Sequence, residues 1–103
     1  MLKPNHLSEA GLAFYQSVAD EYGIADAAGV ALLTTAAECV DRMRAAQTAI
    51  AAHGELVIDR YGAPKLNPAC ALEKDARSGF LAAMRALNLD IEPLRDGPGR
   101  PTN

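Results

Sequence analysis

Gly54-Glu55-Leu56-Val57-Ile58-Asp59-Arg60-Tyr61-Gly62-Ala63-Pro64-Lys65-Leu66-Asn67-Pro68 is the one stretch in which the period of the chain changes. Glu55 to Asp59 is a short extended run with a β-branched pair at Val57-Ile58. Arg60 to Pro64 carries turn chemistry: Gly62 tolerates positive φ and Pro64 fixes a negative one. Lys65-Leu66 is a second, very short extended piece. Asn67-Pro68 reads as a helix start, with Asn67 as N-cap and Pro68 at N1, where a missing N–H costs nothing. The stretch predicts a small β-hairpin over about residues 55–66, clamped between two helices.

Upstream, Leu7-Ser8-Glu9 opens a first helix with Ser8 as N-cap and an acid in the first turn. Leu7, Phe14 and Val18 share one face, Tyr15, Ala19 and Tyr22 form an adjacent stripe, and Gly23 ends the helix. These aromatic residues are expected to supply much of the core. Asp26 caps a second helix that runs to about His53, on the order of 40 Å. Leu32, Ala36, Cys39, Met43, Ala46 and Ile50 recur along it in steps of four and three, the spacing of a helix packed along its length. The expected partner is the first helix, in an antiparallel hairpin. Because the second helix outruns the first, these six residues are also candidates for an oligomer interface.

Downstream, Pro68 to about Leu87 forms a third helix, with Ala69, Leu72, Ala76, Phe80, Ala83, Met84 and Leu87 on its apolar face and Asn88 as a left-handed stop. Glu73 and Arg77 stand in the favourable i, i+4 order on its solvated side. The tail after Ile91 is rich in Pro and Gly, so it is neither a regular helix nor a central strand. The reading is therefore mainly α: an antiparallel helical hairpin with a long central helix, a small β-hairpin, a third helix and an extended Pro/Gly-rich tail. Residues 1–94 form a single domain and residues 95–103 an arm.

The totals narrow the function. One domain is expected from 103 residues. Half of them are apolar, many of these Ala, so each helix buries little area and neighbouring subunits are expected to contribute stability. The net charge of −3 is not that of a generic nucleic-acid binder, so DNA contact must come from a local cluster or from many copies. Cys39 and Cys70 fall within helices and read as structural thiols of a reducing compartment. No signal peptide is evident, and no apolar run approaches the roughly 20 residues of a bilayer span, so a cytoplasmic protein is expected. There is no phosphate-binding loop. His6 and His53 lack partners at metal-ligand spacing, and Ser8, Ser17 and Ser78 lack a nucleophile elbow. Glu38 and Asp41 read as the solvated face of the long helix. No catalytic residue, metal or cofactor is expected.

The order helix, long helix, hairpin, helix, with the residues Tyr61-Gly62-Ala63-Pro64-Lys65-Leu66-Asn67-Pro68, Ala86-Leu87-Asn88-Leu89 and Glu92-Pro93-Leu94-Arg95, resembles a family of phage terminase small subunits. The resemblance covers the chain from about Leu12 to Arg100. It departs at Asn88, where the family usually has Gly; Asn also tolerates the left-handed conformation. The motifs are structural and none is a catalytic signature.

The resemblance implies a non-enzymatic role in packaging viral DNA. Its partners would be viral double-stranded DNA, a terminase large subunit carrying the ATPase and nuclease, and further copies of the chain in a ring, within the host cytoplasm and with no membrane. Among the cations, Lys3, Arg42, Arg44, Arg60, Lys65, Arg95 and Arg100 are candidates for DNA contact. Arg60 and Lys65 in the hairpin and Arg95 and Arg100 in the tail are the strongest. One weak contact per subunit, repeated around a ring, gives affinity without a basic monomer. The competing reading is a helical protein–protein interaction module that does not bind DNA, supported by the acidic balance and the regular stripe.

Overall fold

The computed structural model describes residues 4–89. The element order is α1 (Glu9–Tyr22), α2 (Ala27–His53), β1 (Leu56–Ile58), β2 (Pro64–Leu66) and α3 (Pro68–Leu87). This is the mainly helical architecture expected, with a two-stranded antiparallel hairpin between the second and third helices.

The helix ends follow from their capping residues. The Asp26 carboxylate accepts from the Gly29 amide at 2.9 Å and opens α2. Gly23 ends α1 in the left-handed region at φ 64°, and Asn88 ends α3 there at φ 55°. Ser8 occupies the N-cap position of α1 with extended backbone, but its hydroxyl makes no cap bond. That part of the expectation is corrected. The cap comes from α2: the Asp41 carboxylate accepts from Ser8 N at 2.6 Å and Gly11 N at 2.7 Å. A negative charge there also suits the positive end of the α1 dipole. Asp41 is thus the bolt between two helices and not a solvated charge.

α2 is the spine. α1 runs back along its first half, beginning level with Asp41, and a Cβ at Gly11 would lie 2.7 Å from the Ala37 carbonyl oxygen. α3 runs antiparallel along nearly the whole of α2. Gln47 Nε2 donates to Glu73 Oε2 at 3.0 Å near one end, and a Cβ at Gly79 would lie 3.1 Å from Cys39 Sγ further along. The antiparallel pairing of α1 and α2 is present, yet α3 is the more extensive partner of α2. The spine therefore passes from a section flanked by two helices to a section flanked by one.

The core lies in the first section. Tyr15 is 1% exposed and Leu33 0%, and they pack with Ala19, Ile24 and Ala37. Leu7, Phe14, Val18, Tyr22, Val30, Leu87 and Leu89 close the margins, half-buried. Phe14 meets Phe80 of α3 edge to face, with ring centroids 5.4 Å apart. The α1 aromatics do supply the bulk of the core, as their stripe predicts.

Asn67 joins the hairpin to the helices. It is buried; its side-chain oxygen accepts from Ala69 N at 3.0 Å, its Nδ2 donates to Gly54 O at 2.9 Å, and its backbone N–H donates to Glu55 O at 2.7 Å. One residue caps α3 and ties it to the chain leaving α2. Asn67→Ala is expected to cost about 2 kcal/mol in thermal unfolding, from the lost cap and an unpaired Gly54 carbonyl. Asn67→Asp keeps the acceptor, so it should retain about half of that. Equal losses for the two variants would show that the brace to Gly54, and not the cap, carries the effect.

Candidate functional site

The hairpin stands at the far end of the α2–α3 pair. Leu56 pairs with Leu66, Val57 with Lys65 and Ile58 with Pro64. Side chains alternate across a strand, so Leu56, Ile58, Pro64 and Leu66 share one face and Val57 and Lys65 the other. The first face is apolar, carries no charge and is open: Leu56, Ile58 and Leu66 are 65%, 67% and 59% exposed. Neither strand makes an extended contact with a helix.

The turn is held by Asp59. Its side chain accepts from Tyr61 N at 2.8 Å and Ala63 N at 2.9 Å, while Asp59 N donates to Ala63 O and Gly62 N to Asp59 O. Gly62 sits at φ 80°, where a side chain would be strained. This clamp lifts Arg60 and Tyr61 to the tip. The Arg60 guanidinium lies 5.2 Å from the centroid of the Tyr61 ring, and Tyr61 is 81% exposed.

Arg60 and Lys65 are both exposed on the hairpin. They sit at different places: Arg60 at the tip, Lys65 on the face opposite the apolar one. Glu55 and Asp59 balance their charge, so the hairpin is not a basic patch. Arg95 and Arg100, like Lys3, lie outside the described residues. Of the remaining cations, Arg44 donates to Gln47 Oε1 at 2.9 Å, and Gln47 in turn reaches Glu73, which also pairs with Arg77 at 2.9 Å. That chain of polar side chains stitches α2 to α3. Arg42 remains exposed beside the N-terminal lead.

The six residues of the α2 stripe divide. Ala36, Cys39 and Ala46 are buried within the chain itself, whereas Leu32, Met43 and Ile50 are half-exposed. Ala36 is covered entirely within the chain, while Cys39 and Ala46 keep a small exposed fraction at the α2–α3 junction. The spacing shows that a helix face is covered, and the cover is α3, whose Ala69, Ala76, Gly79 and Ala83 permit close approach.

The junction of α2 and α3 carries an open groove of about 580 Å³ that no α1 residue lines. Its floor is Cys39, Ala46, Ala49, Ala69, Ala76 and Gly79, and Arg42, Leu72 and Asp75 stand at its edges. Cys39 and Ala46 of the α2 stripe and Ala69, Leu72 and Ala76 of the α3 face take part in it, but their spacing alone does not show that the junction is left open. Burial raises the Cys39 thiol above its ordinary range, with Glu38 adding to this and Arg42 opposing it. The thiolate is scarce at neutral pH, which is the opposite of an activated nucleophile.

Elsewhere, His6 Nε2 lies 2.7 Å from Glu38 Oε2 in an exposed pair, so Glu38, like Asp41, faces the segment leading into α1. Among the described residues no group of three or more His, Cys, Asp or Glu could hold a metal ion. No helix among them is long and apolar enough to cross a membrane. No family model, curated protein or solved structure matches the chain.

Proposed function

We propose that the chain is the small subunit of a viral DNA-packaging terminase: a non-enzymatic adaptor that assembles into a ring, engages the viral duplex and recruits the large ATPase–nuclease. The observation that carries this reading is the element order of the sequence resemblance together with the exposed Arg60–Tyr61 tip at the end of a long two-helix arm. A planar guanidinium backed by an aromatic ring and held clear of the body is suited to a phosphate backbone. The rest of the hairpin offers little positive charge, so affinity must come from repetition of that tip around an assembly and from the tail arginines Arg95 and Arg100.

The test is retention of viral duplex DNA across a salt series. Binding is expected to fall steeply with salt, and Arg60→Ala or Lys65→Ala should each lower the logarithmic salt slope by about one per contacting subunit. Alanine at Arg95 and Arg100 should act in the same direction. DNA retention indifferent to salt would sink the electrostatic version of this reading.

A protein-interaction module without DNA contact is the second reading, favoured by the uncharged hairpin face and the net charge of −3. It is preferred if no duplex is retained at low salt while a protein partner, the large subunit included, still binds.

A further inference from the structure

We infer that the apolar hairpin face of one copy seats in the α2–α3 groove of the next, a head-to-tail contact between identical chains. This deepens the assembly half of the reading above by naming the two surfaces. Each surface is incomplete alone. Leu56, Ile58 and Leu66 form an uncharged knob with most of its side-chain surface in water, on a two-stranded sheet that makes no extended contact with a helix. Such hairpins are marginal unless something covers a face. The groove is the complementary hollow, floored by alanines, Cys39 and Gly79, and no α1 residue lines it.

The hairpin cannot fold back into the groove of its own chain. It leaves from the outer ends of α2 and α3, and Asn67 braces it there through Gly54 and Glu55. Ala76 lies about 13 Å back along α3 from that brace. A second copy, displaced along the arm, satisfies both surfaces at once.

Charge favours the same occupant, and size sets the expected strength. Knob, rim and groove walls, summed over the two partners, offer on the order of several hundred Å² against the ~1,600 Å² total of a standard interface, so a single contact is weak and closure of a ring reinforces it. Leu72 at the rim is 62% exposed and extends the apolar surface. The knob bears no charge, which suits an apolar groove and not a phosphate backbone. Because knob and groove are different patches, the contact is heterologous and propagates until a ring closes.

The experiment is light scattering on the full chain over a concentration series, with Ile58→Glu as the knob variant and Ala49→Arg as the groove variant. Leu72→Glu, at an exposed position, is a second groove variant. Circular dichroism confirms that each retains its helices. The wild type is expected to assemble beyond a dimer, and to do so equally well or better at high salt. Each variant should associate roughly 30-fold more weakly or worse. An equimolar mixture of Ile58→Glu and Ala49→Arg should give a dimer and nothing larger, since one intact knob then meets one intact groove.

A wild type that stays monomeric at every concentration overturns the inference. So do groove variants that assemble like the wild type, which would point to hairpin-on-hairpin pairing, and a mixture that gives no dimer. DNA retention is read separately. A chain that assembles this way but ignores DNA sinks the packaging reading and keeps the contact. One that holds DNA as a monomer sinks the contact and the ring, and keeps only the DNA-engaging part of the packaging reading.

Discussion

Leu33→Ala is expected to lower the stability of the chain by about 4 kcal/mol, near the upper end for removal of a buried leucine. The reason lies in what surrounds it. Leu33 has no exposed surface, and its buried neighbours include Ala19 and Ala37, whose side chains have no rotamers with which to fill a void. The backbone cannot close in either, because the Gly11–Ala37 approach and the Asp41 bonds already hold α1 and α2 together. A cavity created here stays a cavity. Against the 5–15 kcal/mol that holds an ordinary domain folded, the loss is a large share, and the melting temperature should drop by roughly 15–30 °C. Leu33→Met, which keeps the volume, should cost less than about 1.5 kcal/mol. A melting curve for Leu33→Ala within a few degrees of wild type would mean that the core rearranges freely, contrary to the packing described.

The second large effect is expected at Gly11. A methyl group there would stand 2.6 Å from Asp41 Oδ1 and 2.7 Å from the Ala37 carbonyl oxygen. The carboxylate could swing aside, but the carbonyl is fixed in the helix, so α1 itself must move outward. The move lengthens both bonds from Ser8 N and Gly11 N to Asp41. Gly11→Ala is thus expected to cost about 3 kcal/mol, combining overpacking with loss of a charge-assisted cap, although alanine is by itself the better helix former. Asp41→Ala should reproduce the capping part, about 2 kcal/mol, without the clash. Because the two changes share one contact, the double variant should fall well short of the sum. Full additivity would show that cap and close approach are independent.

These two positions also show what the sequence can and cannot disclose. Local signals placed the elements: Asp26, Gly23, Asn67-Pro68 and Asn88 bound the helices close to where they end, and the change to an extended run at Glu55 marks the hairpin. Contacts distant in sequence left no such mark. Asp41 lies 33 residues from Ser8, and nothing local separates a carboxylate that caps a neighbour from one in water. The stripe from Leu32 to Ile50 shows that a face of α2 is covered, but its spacing is the same whether α1, α3 or another chain covers it. The hairpin gave a split result. Its existence, turn and candidate cations Arg60 and Lys65 could be read directly. That Leu56, Ile58 and Leu66 crowd one open face required the pairing register.

The unequal flanking of α2 separates two kinds of sequence change. Near Tyr15 and Leu33 a substitution disturbs three helices at once, and tolerance there is narrow. Toward His53 the spine has one neighbour, and past Gly54 the hairpin is secured chiefly by Asn67 and closed on itself by Asp59. A lineage could therefore rewrite the tip while inheriting the body intact, acquiring new recognition by exchanging a dozen residues between two unchanged helices.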